Sequence, residues 1–212
     1  YVDIDAHHGD GVQWAFYDTD QVLTLSIHES GSTLFPGTGF VNELGEGKGE
    51  GYSVNVPLPP SADDEIFLWC FNEVVPPLVD AFQPDILVTQ LGIDAHRTDP
   101  LSHVGISLGA FVLAVRCLKD VCDRWVALGG GGYDQRNVPR AWTAAWAIMN
   151  DREPPVLLPE SFLARHKGIE LRDAAFMDAP AITDGMVKAR AWDEVREEVG
   201  LLKRLVFPRH GI

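Results

Sequence analysis

The sequence predicts an α/β protein built on a mainly parallel β-sheet. Two observations lead to this prediction. Short apolar runs rich in β-branched residues recur along the chain, and longer segments with helical spacing lie between them. Strands that alternate with helices usually pair in parallel, because each helix carries the chain back to the start of the next strand. The 212 residues are enough for one domain with a sizeable core.

The predicted elements follow one another in a regular order. Strands are expected at residues 1–5, 22–27, 52–58, 86–91 and 125–128. Helices are expected at residues 63–82, 108–123 and 138–149, with a charged helical tail around residues 189–205. Ser61 precedes the first of these helices and is expected to cap it. Residues 43–51, dense in Gly and Glu, are typical of a surface loop.

The composition limits the classes of partner. The formal net charge of −14 makes nucleic acid an improbable partner, because that affinity comes mainly from clustered Lys and Arg. A cationic peptide or a polyamine is easier to attract. No apolar run approaches the roughly 20 residues of a membrane span, and the first residues are typical of a functional motif rather than of a signal peptide, so we expect a soluble cytoplasmic protein. The composition leaves the oligomeric state open.

The three cysteines and the start of the chain each carry one expectation. Cys70, Cys117 and Cys122 form neither a CxxC pair nor a disulfide framework, which favours core packing. The first predicted strand begins at residue 1, in what should be a buried, central strand. We therefore expect residues 1–212 to form one partial domain, the C-terminal portion of a longer one, with residues 150–212 as a C-terminal extension of the same domain.

Unusual polar residues follow the predicted strands, where the functional groups of parallel sheets gather. Alternate residues of an extended chain face the same way, so Asp3, Asp5 and His7 can line one surface. Asp94, after the fourth strand, can supply a further oxygen. Single Asp residues at strand ends are usually turn or capping residues, but crowded ionisable groups repel one another unless a cation or hydrogen bonds compensate. The cluster therefore predicts a divalent metal site, with His8 facing away into a structural hydrogen bond.

Four glycines, residues 129–132, follow the fifth strand and precede Tyr133. They lack the GxGxxG spacing of a dinucleotide site, and the chain has no Walker lysine. Glycines let a substrate approach the backbone closely. Tyr133 can donate its hydroxyl to a developing oxyanion, although a Tyr at a strand end also serves as a packing residue.

Five segments together resemble the deacetylase family that includes class I histone deacetylases and bacterial acetoin-utilization proteins. They are YVDIDAHHGDGV, LFPGTG, GYSVNVPL, QLGIDAHRTDPL and LGGGGYDQRNVPRAW, and the resemblance runs in order over residues 1–149. It implies a three-layer arginase/deacetylase-like fold with a mainly parallel central sheet, incomplete at its N-terminus. The implied activity is zinc-dependent hydrolysis of the acetyl amide of acetyl-lysine in proteins, of the acetoin-utilization type.

The resemblance also implies roles for individual residues. Asp5, His7 and Asp94 would hold one zinc ion, and Tyr133 would hydrogen-bond the substrate carbonyl. Asp3 and Asp10 resemble acids that orient two consecutive histidines, the general base and acid, which come from an upstream loop. The only His-His pair of this sequence, His7-His8, belongs to the metal motif, so we expect this chain alone to be inactive or weakly active.

Structural cation sites and a substrate tunnel are implied in the same way. By this resemblance, one K⁺ or Na⁺ site would be formed by Asp3, Asp5, His7, Ser26 and Ile27. A second uses backbone carbonyls around Phe16, Thr19, Val22 and Tyr52. The tunnel for the acyl-lysine side chain matches Phe35, Leu101 and Gly131.

Three alternatives stay open. An acetylpolyamine amidohydrolase of the same fold would act on a small acetyl-amine instead of an acetylated protein. A noncatalytic metal-binding remnant would bind an ion without a complete set of catalytic groups. An arginase-like ureohydrolase would use two manganese ions, against which the glycine run and Tyr133 argue.

Overall fold

Five short strands form one sheet in which every neighbouring pair is parallel. A computed structural model describes residues 1–165 and 174–212 of the protein. The strands are β1 (Val2–Asp3), β2 (Thr24–Glu29), β3 (Ser53–Leu58), β4 (Leu87–Gln90) and β5 (Trp125–Leu128), in the spatial order β3-β2-β1-β4-β5. The predicted α/β class and all five predicted strands are confirmed, with β1 at the centre of the sheet.

The helices connect and flank these strands. They are α1 (Asp10–Ala15), α2 (Asp64–Phe82), α3 (Leu108–Val121), α4 (Val138–Met149), α5 (Glu160–Arg165) and α6 (Gly185–Val206), with 3-10 helices at Gly47–Gly49 and Phe207–His210. The four long helices pack in a row, α6 against α2, α2 against α3, and α3 against α4. The three predicted helices and the helical tail are confirmed. α1 was not predicted, because six residues are too few to show a helical period.

Burial of apolar side chains explains why these segments take these forms. Every residue of β2 and β3 is buried, as expected for strands of a parallel sheet. On α2, the buried residues include Phe67, Phe71 and Val74, which recur at helical spacing and pack with Phe111 of α3 in one continuous apolar cluster. The core thus lies between the sheet and the row of helices.

The prediction that Ser61 caps α2 is wrong. The N-cap is Asp63, whose backbone is extended and whose side chain accepts a hydrogen bond from Ile66 N at 3.3 Å. Ser61 lies in the left-handed region with a φ of 68°. Asp63 also contacts Lys188 Nζ at 2.9 Å and accepts from Thr183 N, which ties the start of α2 to the start of α6. The Asp63 carboxylate therefore caps α2 and also binds the segment that begins α6.

The two edges of the sheet differ in how they are covered. The edge at β3 packs against α6. At the β5 edge, the side chains of Val126 and Leu128 are 49% and 46% exposed. Among the residues that the structure describes, no helix is both long and apolar enough to cross a membrane.

Candidate metal centre and its cleft

The order of the strands decides which polar residues meet. β1 lies directly beside β4, with Val2 opposite Thr89 and Asp3 opposite Gln90. Both strands run in the same direction, so the chain leaves both at the same edge of the sheet. The segment after β1 carries Asp5 and His7, and the segment after β4 carries Asp94. These two segments are therefore neighbours although about ninety residues separate them in the sequence.

Asp5, His7 and Asp94 form a compact cluster at this edge. His7 Nδ1 lies 3.1 Å from Asp5 Oδ1 and 2.8 Å from Asp94 Oδ2. One potential ligand atom from each residue lies within 4.8 Å of the other two. Both carboxylates are buried, and His7 is partly exposed toward a cleft. Two carboxylate oxygens and an imidazole nitrogen at this spacing are a donor set suited to a divalent ion.

Hydrogen bonds fix the outer oxygens of both carboxylates. Asp5 Oδ2 accepts from Gly131 N at 2.6 Å and from Gln90 Nε2 at 2.7 Å. Asp94 Oδ1 accepts from Ala6 N at 2.7 Å. In each case the second oxygen faces the imidazole of His7. The cluster is thus held by the backbone of both strand exits as well as by side chains.

The crowded carboxylates require a positive charge. The contacts with Asp5 and Asp94 raise the pKa of His7 to about 10, so without a metal ion the imidazolium bridges the two carboxylates. Burial and the neighbouring charge of Asp5 raise the pKa of Asp94. For Asp5, burial alone would raise the pKa, but hydrogen bonds, among them those with His7 and Gln90, outweigh burial and lower it. A divalent cation would supply the same compensation.

An open cleft of about 310 Å³ lies over the cluster. It is lined by Asp3, Asp5, His7, His8, Gly9, Phe35, Pro36, Gln90, Gly131 and Tyr133. Tyr133 is 53% exposed. A Tyr hydroxyl with its ordinary pKa of about 10 is a donor at neutral pH, and burial and the charges of Asp94 and Asp5 raise the pKa of Tyr133 further. The cleft therefore brings together three potential metal ligands and a phenol.

The glycine run lets the chain pass close to the cluster. A Cβ added at Gly131 would overlap Asp94 Oδ2 and lie 2.9 Å from Asp5 Oδ2. One added at Gly92 would overlap Asp5 Oδ2. These positions need glycine because the carboxylates already occupy the space of a side chain.

Asp3 and Asp10 occupy different places from each other. Asp3 is almost fully buried, and burial raises the pKa of its carboxyl to about 7. Its oxygens accept from Tyr1 Oη at 2.8 Å and from Asp5 N at 3.0 Å, so it supports Asp5 from behind. Asp10 opens α1, and its Oδ1 accepts from Gly11 N. Asp10 is outside the set of residues that line the cleft.

The predicted structural hydrogen bonds of His8 are present, but the prediction that His8 faces away from the site is wrong, because His8 lines the cleft. It is buried, and its ring nitrogens lie 2.8 Å from Thr38 Oγ1 and 3.0 Å from Gln13 Oε1. Its ring packs on that of His28, with the centroids 4.8 Å apart. His8 also lines the cleft, but these contacts hold its ring, whereas the His7 ring contacts the two carboxylates.

The residues expected at the two monovalent cation sites lie in two groups. In the first group, Ser26 pairs with Asp3 in the sheet and its Oγ lies 2.8 Å from His28 Nδ1; its neighbour Ile27 is buried. In the second group, the Phe16 carbonyl accepts from Thr19 N and the Tyr52 carbonyl accepts from Thr24 N. Val22 lies just before β2, between these two carbonyls in the sequence. Cation binding at either group stays a prediction.

Of the three expected tunnel residues, Phe35 and Gly131 line the cleft, and Phe35 is 78% exposed. Leu101 is exposed but is outside the set of lining residues. The buried carboxylate of Glu29 joins the segment that carries Phe35 to the segment that carries Leu101. It accepts from Thr33 Oγ1 at 2.9 Å and from His103 N at 2.6 Å. The role of the three tunnel residues in substrate binding stays a prediction.

Two residues beside the cluster were not predicted from the sequence. Gln90 contacts Asp5, and Asp99 accepts from Tyr133 N at 2.7 Å, which fixes the backbone beneath the phenol. Gln90 is the last residue of a strand, a position where functional groups gather, so its placement was a usable signal. The contact between Asp99 and Tyr133 joins two distant segments, and no local pattern reveals it.

Comparison with known proteins identifies the family of the chain. Residues 1–149 match the family model of the histone deacetylase domain. The acetoin utilization protein AcuC of Bacillus subtilis is 44% identical over 171 residues, which cover 78% of this chain and 44% of AcuC. AcuC of Staphylococcus xylosus is 43% identical over 171 residues, covering 77% of this chain and 44% of that protein.

Solved structures show the same fold. A histone deacetylase (HDAC) homolog from Aquifex aeolicus superposes with a TM-score of 0.83 at 36% identity, covering 96% of this chain and 56% of that one. An HDAC homolog complexed with SAHA superposes with a TM-score of 0.84 at the same identity and coverage. The arginase/deacetylase-like fold predicted from the sequence is confirmed. The chain spans about half the length of the relatives it matches, and it belongs to the histone deacetylase family.

Proposed function

We propose that this chain carries the metal-binding half of a zinc-dependent deacetylase that hydrolyses the acetyl amide of acetyl-lysine in proteins. The observation that carries the proposal is the cluster of Asp5, His7 and Asp94 beneath an open cleft, with Tyr133 at the rim. Membership of the histone deacetylase family supports it. The similarity to AcuC favours the acetoin-utilization type.

The residues present fit a zinc ion. The three ligand atoms lie within 4.8 Å of one another and belong to two carboxylates and one imidazole. The two carboxylates are buried close together, an arrangement that is costly unless a cation lies between or beside them. Three protein ligands leave further coordination positions open, as catalytic zinc sites require.

Zinc held by Asp5, His7 and Asp94 would supply Lewis-acid polarisation of the amide carbonyl and activation of a water molecule. The chain's own contribution is a hydrogen bond from the Tyr133 hydroxyl to the oxygen that becomes negative when the amide is attacked. The phenol is protonated at neutral pH, as any Tyr with a pKa of about 10 is, and can donate this bond. The bond from Tyr133 N to Asp99 holds the backbone of that donor in place. Hydrolysis of the amide by one water molecule would give acetate and a free amine.

We propose that proton transfer depends on groups outside this chain. Asp3 and Asp10 would orient a histidine pair that an upstream segment contributes, which agrees with the partial coverage of the relatives. A hydrolase without its general base loses about two to four powers of ten in rate. Potassium or sodium at the two predicted sites would brace the strand exits that carry Asp5 and His7.

Acetylated polyamines are the second candidate substrates. The observation that favours them is the formal net charge of −14, because their cationic amines are attracted to an acidic surface. Both candidates share the same bond cleavage, so substrate comparison separates them. Acetyl-lysine peptides stay the first proposal because of the family membership.

The test measures hydrolysis of a fluorogenic acetyl-lysine peptide and of N-acetylspermidine. This chain is compared with a fusion in which the upstream part of Bacillus subtilis AcuC precedes residue 1. We expect zinc-dependent, chelator-sensitive activity in the fusion and little or none in the chain alone. Asp94→Asn in the fusion is the matched control and should abolish activity, because it removes one ligand charge while keeping the size of the side chain.

Metal analysis of the chain accompanies the assay. One zinc ion per chain supports the proposal. Two manganese ions per chain would instead indicate a ureohydrolase-type centre. A fusion that binds zinc yet cleaves neither substrate would limit the family resemblance to fold and ancestry.

A further inference from the structure

We propose that Gln90 is a positioning residue of the metal centre: its side-chain amide holds the Asp5 carboxylate in the orientation that binds the ion, and so sets the affinity for zinc. The inference rests on the proposed function, because it needs a metal ion at Asp5, His7 and Asp94. It concerns a residue that touches a ligand and not the ion itself.

Gln90 is anchored in a rigid part of the sheet. It is the last residue of β4 and pairs with Asp3 of β1 on one side and with Leu128 of β5 on the other. Its carbonyl accepts from Ile4 N at 3.2 Å. The side chain therefore leaves from a backbone that two neighbouring strands hold in place, at the edge where the ligands gather.

Both ends of the Gln90 amide are engaged. Its Oε1 accepts from Gly92 N at 2.6 Å, and its Nε2 donates to Asp5 Oδ2 at 2.7 Å. Because the backbone N–H of Gly92 needs an acceptor, the oxygen must lie on that side, and the NH₂ group must face the carboxylate. The donor is thus assigned by its surroundings and cannot be exchanged with the acceptor by rotating the amide.

This donor decides how Asp5 presents its other oxygen. Asp5 Oδ2 accepts from Gln90 Nε2 and Gly131 N, which leaves Oδ1 turned toward His7 Nδ1 at 3.1 Å. Gly131 N belongs to the backbone, so Gln90 is the donor that a substitution can remove. Hydrogen-bond partners that orient metal ligands typically contribute about 10–100-fold to metal affinity.

The glycine run packs on the same amide. A Cβ added at Gly130 would overlap the terminal atoms of the Gln90 side chain. Close packing on one side and Asp5 on the other leave Gln90 little rotamer freedom. The segment before Tyr133 and the ligand Asp5 are thus both placed relative to a single side chain.

The experiment measures zinc affinity of the 212-residue chain by competition with a chromogenic chelator, and the visible absorption spectrum after Co²⁺ replaces zinc. In Gln90→Met, a side chain of similar length without an N–H donor, we expect the zinc dissociation constant to rise about 10–100-fold. We also expect the Co²⁺ bands to shift, because Asp5 can turn. Gln90→Asn keeps an amide but is too short to reach both Gly92 and Asp5, and it should show the same direction of change. If Gln90→Met does not fold, Gln90→Asn decides.

Thr89→Val is the matched control. Thr89 lies on the same strand, and this variant loses the hydrogen bond that Trp125 Nε1 donates to the Thr89 hydroxyl. Because neighbouring residues of a strand point to opposite faces, this bond lies on the face away from the Gln90 side chain. Unchanged zinc affinity in both Gln90 variants would overturn the inference while leaving the metal centre in place. An equal loss of zinc affinity in Thr89→Val would also overturn it, because that result would indicate general weakening of β4. Failure of the unchanged chain to bind zinc would overturn the metal centre itself, and the inference with it.

Discussion

The proposed chemistry depends on the carboxylates of Asp5 and Asp94, which are two of the three proposed metal ligands. They lie buried on either side of one imidazole, and a proton on His7 compensates their charge when no metal is bound. A metal ion that replaces this proton would be held by charges that folding has already brought together. Metal binding and stability are therefore coupled at this site.

Zinc should stabilise the folded chain. A ligand at about 100 times its dissociation constant adds about 2.7 kcal/mol to the free energy of unfolding. We expect the thermal unfolding midpoint to rise on addition of zinc and to fall again with a chelator. In Asp94→Asn this zinc-dependent rise should largely disappear, because one ligand charge is lost while the side chain keeps its size. An equal rise in both proteins, measured by differential scanning fluorimetry, would place the zinc elsewhere.

Gly131→Ala should weaken zinc binding by more than about tenfold. The added Cβ would overlap Asp94 Oδ2, so the carboxylate or the glycine segment must move. Gly11→Ala is the control, since a Cβ there meets nothing within 4 Å. Isothermal titration calorimetry of both variants measures the effect. Similar affinities in the two would show that the cluster tolerates a shift of this segment.

At the residue scale, the sequence predicted the cluster but not its supports. Asp5 and His7 share the parity of one strand exit, and Asp94 follows the neighbouring strand, so local pattern and sheet topology together bring them to one place. Gln90 and Asp99 act through single hydrogen bonds to residues far away in the sequence. Such bonds depend on the final distances between loops, which periodicity does not encode.

At the scale of elements, strand and helix positions followed from apolar periodicity, whereas their ends depended on tertiary contacts. The start of α2 is the example. Asp63 and not Ser61 is the N-cap, since the Asp63 carboxylate accepts from Ile66 N and also binds Lys188 at the start of α6. Capping preferences favour Ser and Asp about equally and contain no information about contacts with a second helix.

Asp63→Ala should lower the free energy of unfolding by about 1–2 kcal/mol, the usual cost of losing an N-cap. Lys188 would also lose one of its two carboxylate partners. Ser61→Ala should change the free energy of unfolding by less than about 0.5 kcal/mol, as is usual away from caps and core. Urea unfolding of the two variants tests the assignment. Equal losses would show that Ser61 contributes to the cap after all.

The loop that carries Tyr133 should lose stability in acid. Burial alone would raise the pKa of Asp134, but hydrogen bonds from Arg136 and Thr98 outweigh burial and lower it to about 2. A folded-state pKa below the unfolded one stabilises the fold above about pH 4, and this contribution disappears as the pH falls toward 2. Because solvent screens the ion pair with Arg136, this contribution to the free energy of unfolding is less than about 2 kcal/mol. The stability difference between the unchanged chain and Asp134→Asn should therefore shrink between pH 5 and pH 2; a constant difference in urea unfolding would contradict this.

At the scale of the whole molecule, the two edges of the sheet differ in how the described residues cover them. α6 covers the β3 edge, whereas the outer strand β5 offers Val126 and Leu128 to solvent. Trp142 and Trp146 of α4 are exposed as well. Parallel strands normally have both faces covered, and an unpaired apolar edge pairs readily with other chains. The similarity to relatives about twice as long agrees with such a surface.

The isolated chain should therefore self-associate through β5. We expect Val126→Lys combined with Leu128→Lys to reduce association, because charges on an exposed strand oppose edge-to-edge pairing. Val156→Lys combined with Ile182→Lys is the matched control, because it adds the same two charges at exposed residues that belong to no strand. Static light scattering and size-exclusion chromatography at several protein concentrations measure the effect. Equal reductions of association in the β5 variant and in the control would mean that net charge causes the effect. If the unchanged chain stays monomeric, the prediction that it self-associates through β5 is wrong.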